Sequence, residues 1–303
     1  MSTNETLLKL DGGFEVALGL NLPDPEEQAL MAMSPEYPES RMLDDSDIKK
    51  AIAGDFYLQE RELFAHTMIN QNPLGKCNAS ALKGAFEQIR RNQGMPHEIL
   101  SDNDAYMQMN NGRDAGSALI RAFQVAQRRG VSPLEIEVNG RKYQIPLNAF
   151  NNRHVPSSAR AVADNEAKRF RGWEWYRAPR GYREFARCLA SELARRNPVV
   201  FAWHVGSNSM RLRNGYVVTG RGKGNHATMF QSAKYVGGYD IVHPDCKNSW
   251  GPSQDPRYGR PGQSWGEKGY ALFTMEQAFS CNQYHDTYIV TSARPDHKDQ
   301  FVN

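Results

Sequence analysis

No apolar run in this chain approaches the ~20 residues that a membrane-spanning helix requires, and the mean hydropathy is −0.67. An excess of one charge is lacking as well. Lys and Arg number 37 against 34 Asp and Glu, a formal net charge of +3, too weak a bias to indicate nucleic acid by itself. Cysteine is scarce: the four residues at 77, 188, 246 and 281 show no paired spacing, and no Cys/His cluster has the spacing of a zinc site. A disulfide scaffold is thereby excluded, and neither a metal nor another cofactor is expected. Met1–Thr6 lacks the basic start and apolar core of a secretory signal, so the expected location is cytoplasmic or virion-associated, with no membrane partner.

What is present is enough chain for a full core. At 303 residues the sequence can hold one large domain or two lobes. Residues 1–60 differ from the rest: Pro23, Pro25, Pro35 and Pro38 lie among acidic neighbours, which reads as an extended arm. One helix is expected from Asp47 to Glu62, interrupted by Gly54. The strongest helical pattern follows Cys77, where Ala79, Leu82, Ala85, Phe86 and Ile89 recur at helical spacing and Gly94 supplies a stop. Further helices are expected over 116–129 and 182–196. Between them, Leu134–Val138 and Lys142–Ile145 alternate around Asn139-Gly140, a hairpin signal. Pro198–Trp203 reads as a buried strand, and others are expected at 216–219, 226–231, 238–242, 270–274 and 287–291. Helices first and strands later give an α+β class.

Against that background the chemistry concentrates in three places. Cys77 stands at the start of its helix, where the positive end of the helix dipole favours a thiolate. Far downstream come Asn225-His226-Ala227 and Lys247-Asn248-Ser249-Trp250-Gly251. A thiol, an imidazole and an amide in that order are the parts of a cysteine–histidine nucleophilic site. A lone cysteine at a helix start is ordinarily structural; the company of His226 and Asn248 is what lifts Cys77 above that reading. Cys188, Cys246 and Cys281 read as buried small hydrophobes. His243 is a rival imidazole near the asparagine turn, and His204 reads as core or edge. The stretch Arg153–Arg187 interleaves arginines with Phe170, Trp173, Trp175, Tyr176, Tyr182 and Phe185, a composition that can bind single-stranded nucleic acid. Asp164, Glu166, Glu174 and Glu184 offset its charge, so a partly packed insertion is the preferred reading and nucleic acid is not an expected partner.

The motifs resemble those of papain-like cysteine proteases over residues 65–292. Gln71 lies six positions before Cys77, the family's spacing for its oxyanion glutamine. Asn225-His226-Ala227 is similar to the histidine strand, Asn248-Ser249-Trp250-Gly251 to the asparagine turn, and Ser264-Trp265-Gly266-Glu267-Lys268-Gly269-Tyr270 to the block that follows it. The resemblance implies a two-lobed fold, with a helical left lobe, a β-rich right lobe and the cleft between them. It implies Cys77, His226, Asn248 and Gln71 as catalytic groups, Trp250 as the shield of the His–Asn bond, and Asp114-Ala115-Gly116 as backbone along the substrate cleft. Leu74 stands where secreted members place a disulfide cysteine, which fits a reducing compartment. Lys76 replaces a small residue and Asn78 an aromatic, and Pro252–Gln263 lengthens a link that is short in the family.

Several functions are compatible with these features. The first is a peptidase cleaving peptide or isopeptide bonds through a thioester, with residues 61–303 as the catalytic domain and residues 1–60 as a prosegment or an assembly arm. The second is a silent module of the same fold in a larger assembly, such as a phage particle, with the arm making the contacts. The third is thiol-mediated acyl transfer to an amine. A peptide or protein substrate is the partner implied by the first.

Overall fold

The computed structural model describes residues 7–9, 15–65, 69–71, 74–110, 113–144, 157–206, 209, 212–219, 224–251, 264–282 and 287–293. The described helices are α1 (Pro25–Met33), α2 (Asp45–Ala51), α3 (Phe56–Phe64), α4 (Cys77–Asn92), α5 (Asp102–Asn110), α6 (Leu119–Arg128), α7 (Ser157–Ala167), α8 (Tyr182–Ala194) and α9 (Met275–Asn282). The strands are β1 (Leu7–Lys9), β2 (Glu15–Ala17), β3 (Glu135–Val138), β4 (Arg141–Gln144), β5 (Glu174–Arg177), β6 (Val199–Trp203), β7 (Leu212–Arg213), β8 (Tyr216–Val217), β9 (His226–Gly237), β10 (Ile241–Lys247), β11 (Tyr270–Leu272) and β12 (Tyr288–Ser292).

One sheet dominates, in the order β5-β12-β6-β9-β10-β11-β8-β7. Its pairings are antiparallel except that of β11 with β8. The unbroken apolar run of β6 is explained by burial on both faces. Val199, Phe201 and Trp203 enter a core shared with α8, α9 and α2. Val200 and Ala202 enter a second core built from α4, α5 and α6. The helical layer and the sheet layer therefore meet where α4 lies against β9, and Cys77 and His226 are the first residues of those two elements.

Three expectations for the chain need correction. Within the first sixty residues the described part is not extended throughout, since Pro25–Met33 and Asp45–Ala51 are helices. Asp24 and Glu27 form a reciprocal capping box, with Glu27 N donating to Asp24 Oδ1 at 2.8 Å and Asp24 N donating to Glu27 Oε2 at 2.9 Å. Pro25 occupies the first helical turn, where its missing N–H costs nothing. The helix expected over 47–62 is two helices, because Gly54 takes φ +65° and turns the chain between α2 and α3. The strand expected at 238–242 starts at Ile241, since Gly237 and Gly238 both have positive φ and form the turn after β9. By contrast, the 135–144 hairpin stands as expected, with Asn139 and Gly140 at φ 51° and 75°, the conformation that type I′ turns demand.

Residues 15–64 belong to the same cores as the rest. Val16, Tyr37, Ile48, Ile52 and Phe56 lie in the first and Leu20 in the second, and residue 60 falls inside α3. Phe170, Trp173, Trp175 and Phe185 are fully buried, and Arg169 and Arg177 pair with Glu98 and Glu36. The aromatic–arginine stretch is thus packed rather than displayed for stacking on bases. Among the described residues no helix is long and apolar enough to cross a membrane.

Candidate active site

The helical run that begins at residue 77 fixes Cys77 at the N-terminus of α4, with Lys76 as the preceding cap residue. The thiol has no solvent exposure. Burial raises its pKa above the usual 9.0, while hydrogen bonds from the backbone of Ala227, Gly19, Asn78 and Cys77 itself pull the other way. Lys76 plays no part in that balance: it is buried, 3.0 Å from Asp102, and donates to Asn103 Oδ1 at 2.7 Å. The lysine that replaces a small residue thus ties α4 to α5.

His226 is also fully buried. Its Nε2 lies 2.7 Å from Asn248 Oδ1, and Ser249 N donates to that same oxygen at 2.7 Å. An atom that accepts from a backbone N–H must be the amide oxygen, so Nε2 carries the imidazole proton. Nδ1 is then a bare acceptor, buried and without a hydrogen-bond partner among the described residues. Trp250 stacks on the imidazole, ring centroids 4.1 Å apart and planes 17° apart. Desolvation pushes His226 from 6.5 down to about 3, with the Asn248 bond acting in the opposite direction. Both shifts favour the neutral forms of thiol and imidazole while the site is covered.

Gln71 reaches the site through a short ribbon. Gln71 N donates to Ser249 O at 2.9 Å, Gly251 N donates to Ile69 O at 2.9 Å, and Asn70 bridges Trp250. The Gln71 Oε1 accepts from the Ser249 hydroxyl, so the amide turns its Nε2 outward, where it donates to Ala17 O at 3.0 Å and Leu74 O at 3.1 Å. Trp265 N donates to Trp250 O at 3.0 Å, which locks the Trp-Gly-Glu block behind the asparagine turn. The intervening 252–263 lies outside the described residues.

Residues 17–21 cross directly over these groups. Gln71 meets Ala17, the Cys77 thiol meets Gly19, and Leu20 N donates to Asn225 O at 3.4 Å. The strap then pairs with the cleft segment: Ser117 N donates to Gly19 O at 2.8 Å, Asn21 N to Ser117 O at 3.1 Å, and Asn21 Nδ2 to Ala115 O at 2.8 Å. Gly116 takes φ +65°, and its absent Cβ leaves room for Gly19 O, which would lie 2.5 Å from it. Asp114 faces elsewhere, its Oδ1 accepting from Gly75 N at 3.1 Å and from the Tyr106 hydroxyl. Its side chain thus braces the turn before Cys77.

Two residues escaped sequence reasoning. Asn78 is completely buried and donates to Ser117 O at 3.1 Å and to the Ser117 hydroxyl, so the amide in place of an aromatic anchors the cleft segment to α4. Ser249 orients Gln71. A polar residue next to a helix-start cysteine is the available signal for Asn78, while Ser249 lies inside the asparagine-turn motif with no role that the motif assigns. The rival His243 is engaged instead by the Tyr216 hydroxyl at 2.8 Å. Cys188, Cys246 and Cys281 are free and buried. His66, His154, His285 and His297 lie outside the described residues, and among the described residues no His/Cys/Asp/Glu group is arranged to hold a metal.

The fold is that of the papain-like cysteine proteases. Xylellain, a cysteine protease from Xylella fastidiosa, superimposes with a TM-score of 0.58 at 20% identity, over 91% of this chain and 96% of its own. Procathepsin B from Trypanosoma congolense gives 0.55 at 12% identity over 89% and 85% of the two chains, and the stem bromelain precursor gives 0.53 at 20% over 93% and 84%. No family model and no curated protein sequence matches the chain.

Proposed function

We propose that the chain is a cysteine peptidase held in a latent state, hydrolysing peptide or isopeptide bonds once residues 15–21 leave the cleft. One observation carries the reading: Asn248 fixes the imidazole tautomer so that His226 Nδ1 is a bare base, and the buried thiol at the α4 N-terminus meets the backbone of the very next residue, Ala227. In the reaction the thiol proton passes to Nδ1 and the sulfur attacks the carbonyl carbon of the scissile bond. The tetrahedral oxyanion is met by Gln71 Nε2 and the Cys77 N–H, each such donor contributing roughly 3 kcal/mol. The C–N bond then breaks as the imidazolium returns its proton to the leaving amine. Water, deprotonated by Nδ1, hydrolyses the thioester and frees the thiol.

The strap supports latency. It takes the Gln71 amide, covers the thiol and pairs with the cleft segment, the positions an extended substrate needs. That placement over the site favours the N-terminal part as a prosegment rather than an assembly arm. The test is labelling of the full chain with a thiol-directed epoxide, beside Cys77→Ala and His226→Ala. Slow labelling at Cys77 that requires His226, and that accelerates when the strap is dislodged, is the expected result. Failure to label in either state would leave the silent module as the better reading. Product analysis with an added amine separates hydrolysis from acyl transfer.

A further inference from the structure

Gly116 belongs to the cleft segment and Gly75 to the turn that delivers Cys77, and two side chains outside the reaction join them. Tyr106, on α5, has no solvent exposure. Its hydroxyl accepts from Gly116 N at 3.0 Å and donates to Asp114 Oδ1. The same carboxylate oxygen accepts from Gly75 N at 3.1 Å. One relay of hydrogen bonds thus runs from Gly116 to Gly75, two residues before the thiol. Burial and the neighbouring carboxylate both push the Tyr106 hydroxyl above its ordinary pKa, so it stays a donor. Asp114 Oδ2, by contrast, is buried with no hydrogen-bond partner among the described residues. An oxygen left so is costly. What offsets that cost is the pair of charge-assisted bonds that Oδ1 accepts, stronger than bonds to a neutral acceptor. The turn has little slack on its other sides. Lys76 is tied to Asp102 and Asn103 of α5, and a Cβ on Gly75 would lie 3.0 Å from Gly19 Cα and 3.3 Å from Asp114 Oδ1.

We infer that Tyr106 and Asp114 are positioning residues, which set the cleft segment in register with the Cys77 turn so that a peptide lying along Gly116 presents its carbonyl to the thiol and the Cys77 N–H. The inference rests on the peptidase reading above. Neither side chain touches the reacting atoms, and the two links do different work. Tyr106 holds the backbone along which the peptide lies, whereas Asp114 holds the turn that carries the nucleophile. A misplacement of about 1 Å between such parts is enough to slow a reaction heavily. While the strap is seated, Gly19 bridges the same two pieces, its carbonyl accepting from Ser117 N at 2.8 Å and its Cα lying against Gly75. Once the strap leaves, the relay and the bonds from Asn78 to Ser117 still join them.

Two measurements on the full chain test it. Amide hydrogen exchange does not depend on the reactivity of the thiol. Tyr106→Phe should speed exchange roughly tenfold at Gly116, and Asp114→Ala should do so at Gly75; unchanged exchange at both glycines overturns the relay. The second is saturation inactivation of Cys77 by a peptidyl epoxide in the Gly19→Ala chain, whose added Cβ would lie 1.5 Å from Gly75 O and so displaces the strap. In that background Tyr106→Phe should raise KI roughly tenfold with kinact nearly unchanged, and Asp114→Ala should lower kinact as well. Asp114→Asn keeps an acceptor oxygen and should recover most of both. A merely structural role would reduce the amount of labelled protein and leave KI where it was, and that result overturns the positioning role. If exchange responds as expected but Gly19→Ala itself never labels through His226, the peptidase reading fails, and the relay is reduced to a packing contact.

Discussion

The imidazole of His226 is the residue whose behaviour most directly reports the state of the site. Buried under the strap it is held neutral, its pKa lowered from 6.5 to about 3 by desolvation, while burial raises that of the Cys77 thiol. The sign of the pH effect follows. Between about pH 3 and 6.5 the uncovered imidazole takes up a proton that the covered one does not, so closure of the strap is fully favoured above 6.5 and is lost as pH falls toward 3. In an NMR titration from pH 8 to 4.5, one histidine, identified by its disappearance in His226→Asn, should therefore fail to titrate; a normal midpoint near 6.5 in the intact chain would contradict the covered site. Gln71 offers a second check at this scale. Its amide contributes only where an oxyanion develops, so Gln71→Ala in the unlatched protein should lower kcat by roughly 10²–10³ with little change in epoxide labelling at Cys77. Equal loss of both would mean that Gln71 merely holds the ribbon with Ser249.

At the scale of the element, the strap is governed by one glycine. A Cβ on Gly19 would fall 1.5 Å from Gly75 O and 2.1 Å from Gly75 C, backbone atoms of the turn that delivers Cys77. Gly19→Ala should therefore unseat residues 17–21 while α1, anchored by its capping box and by Arg121 at 2.8 Å from Glu27, stays in place. Epoxide labelling should quicken at least tenfold, and His226 should regain an ordinary titration; labelling unchanged from wild type would remove the strap from the account of latency. The same segment shows where the sequence was legible and where it was not. Periodic apolar residues placed α4, α6 and α8, and Asn139-Gly140 placed a hairpin, because those signals are local. The proline-rich start reads as extended because proline usually breaks helices, and the reciprocal cap of Asp24 and Glu27 outweighs that signal. That Gly19 must be glycine was invisible, since the constraint comes from Gly75, far along the chain. That Asn248 bonds His226 and that Gln71 meets the asparagine turn is legible in motif order, whereas the protonation of thiol and imidazole depends on burial that no spacing encodes.

For the whole molecule, the question is what keeps the parts of the site aligned when they arrive from opposite ends of the chain. Gln71 follows α3 and Asn248 follows β10, and Arg61 joins these two elements. Its Nε donates to Asp245 Oδ2 at 2.9 Å and its Nη2 to Oδ1 at 2.6 Å, a bidentate pair, while Nη1 donates to Glu267 Oε2 at 2.6 Å. Asp245 is fully buried and Arg61 8% exposed. Desolvation raises Asp245 to about 6 in spite of the guanidinium beside it, so the pair is retained at a cost to burial and removing one partner is worse than removing both. Arg61→Ala should destabilise the protein by about 3–5 kcal/mol in urea unfolding and, through the loosened Gln71–Ser249 contact, reduce activity in the unlatched state. Arg61→Met combined with Asp245→Leu removes both charges while keeping volume. That double variant should recover most of the stability, because no buried charge is left unpaired and Glu267, its side chain 69% exposed, remains in water. Activity should return with it if the clamp serves only to hold α3 against β10. A double variant as unstable as Arg61→Ala would mean that the ion pair contributes net stability of its own, and that the alignment of Gln71 with Asn248 depends on the charge itself.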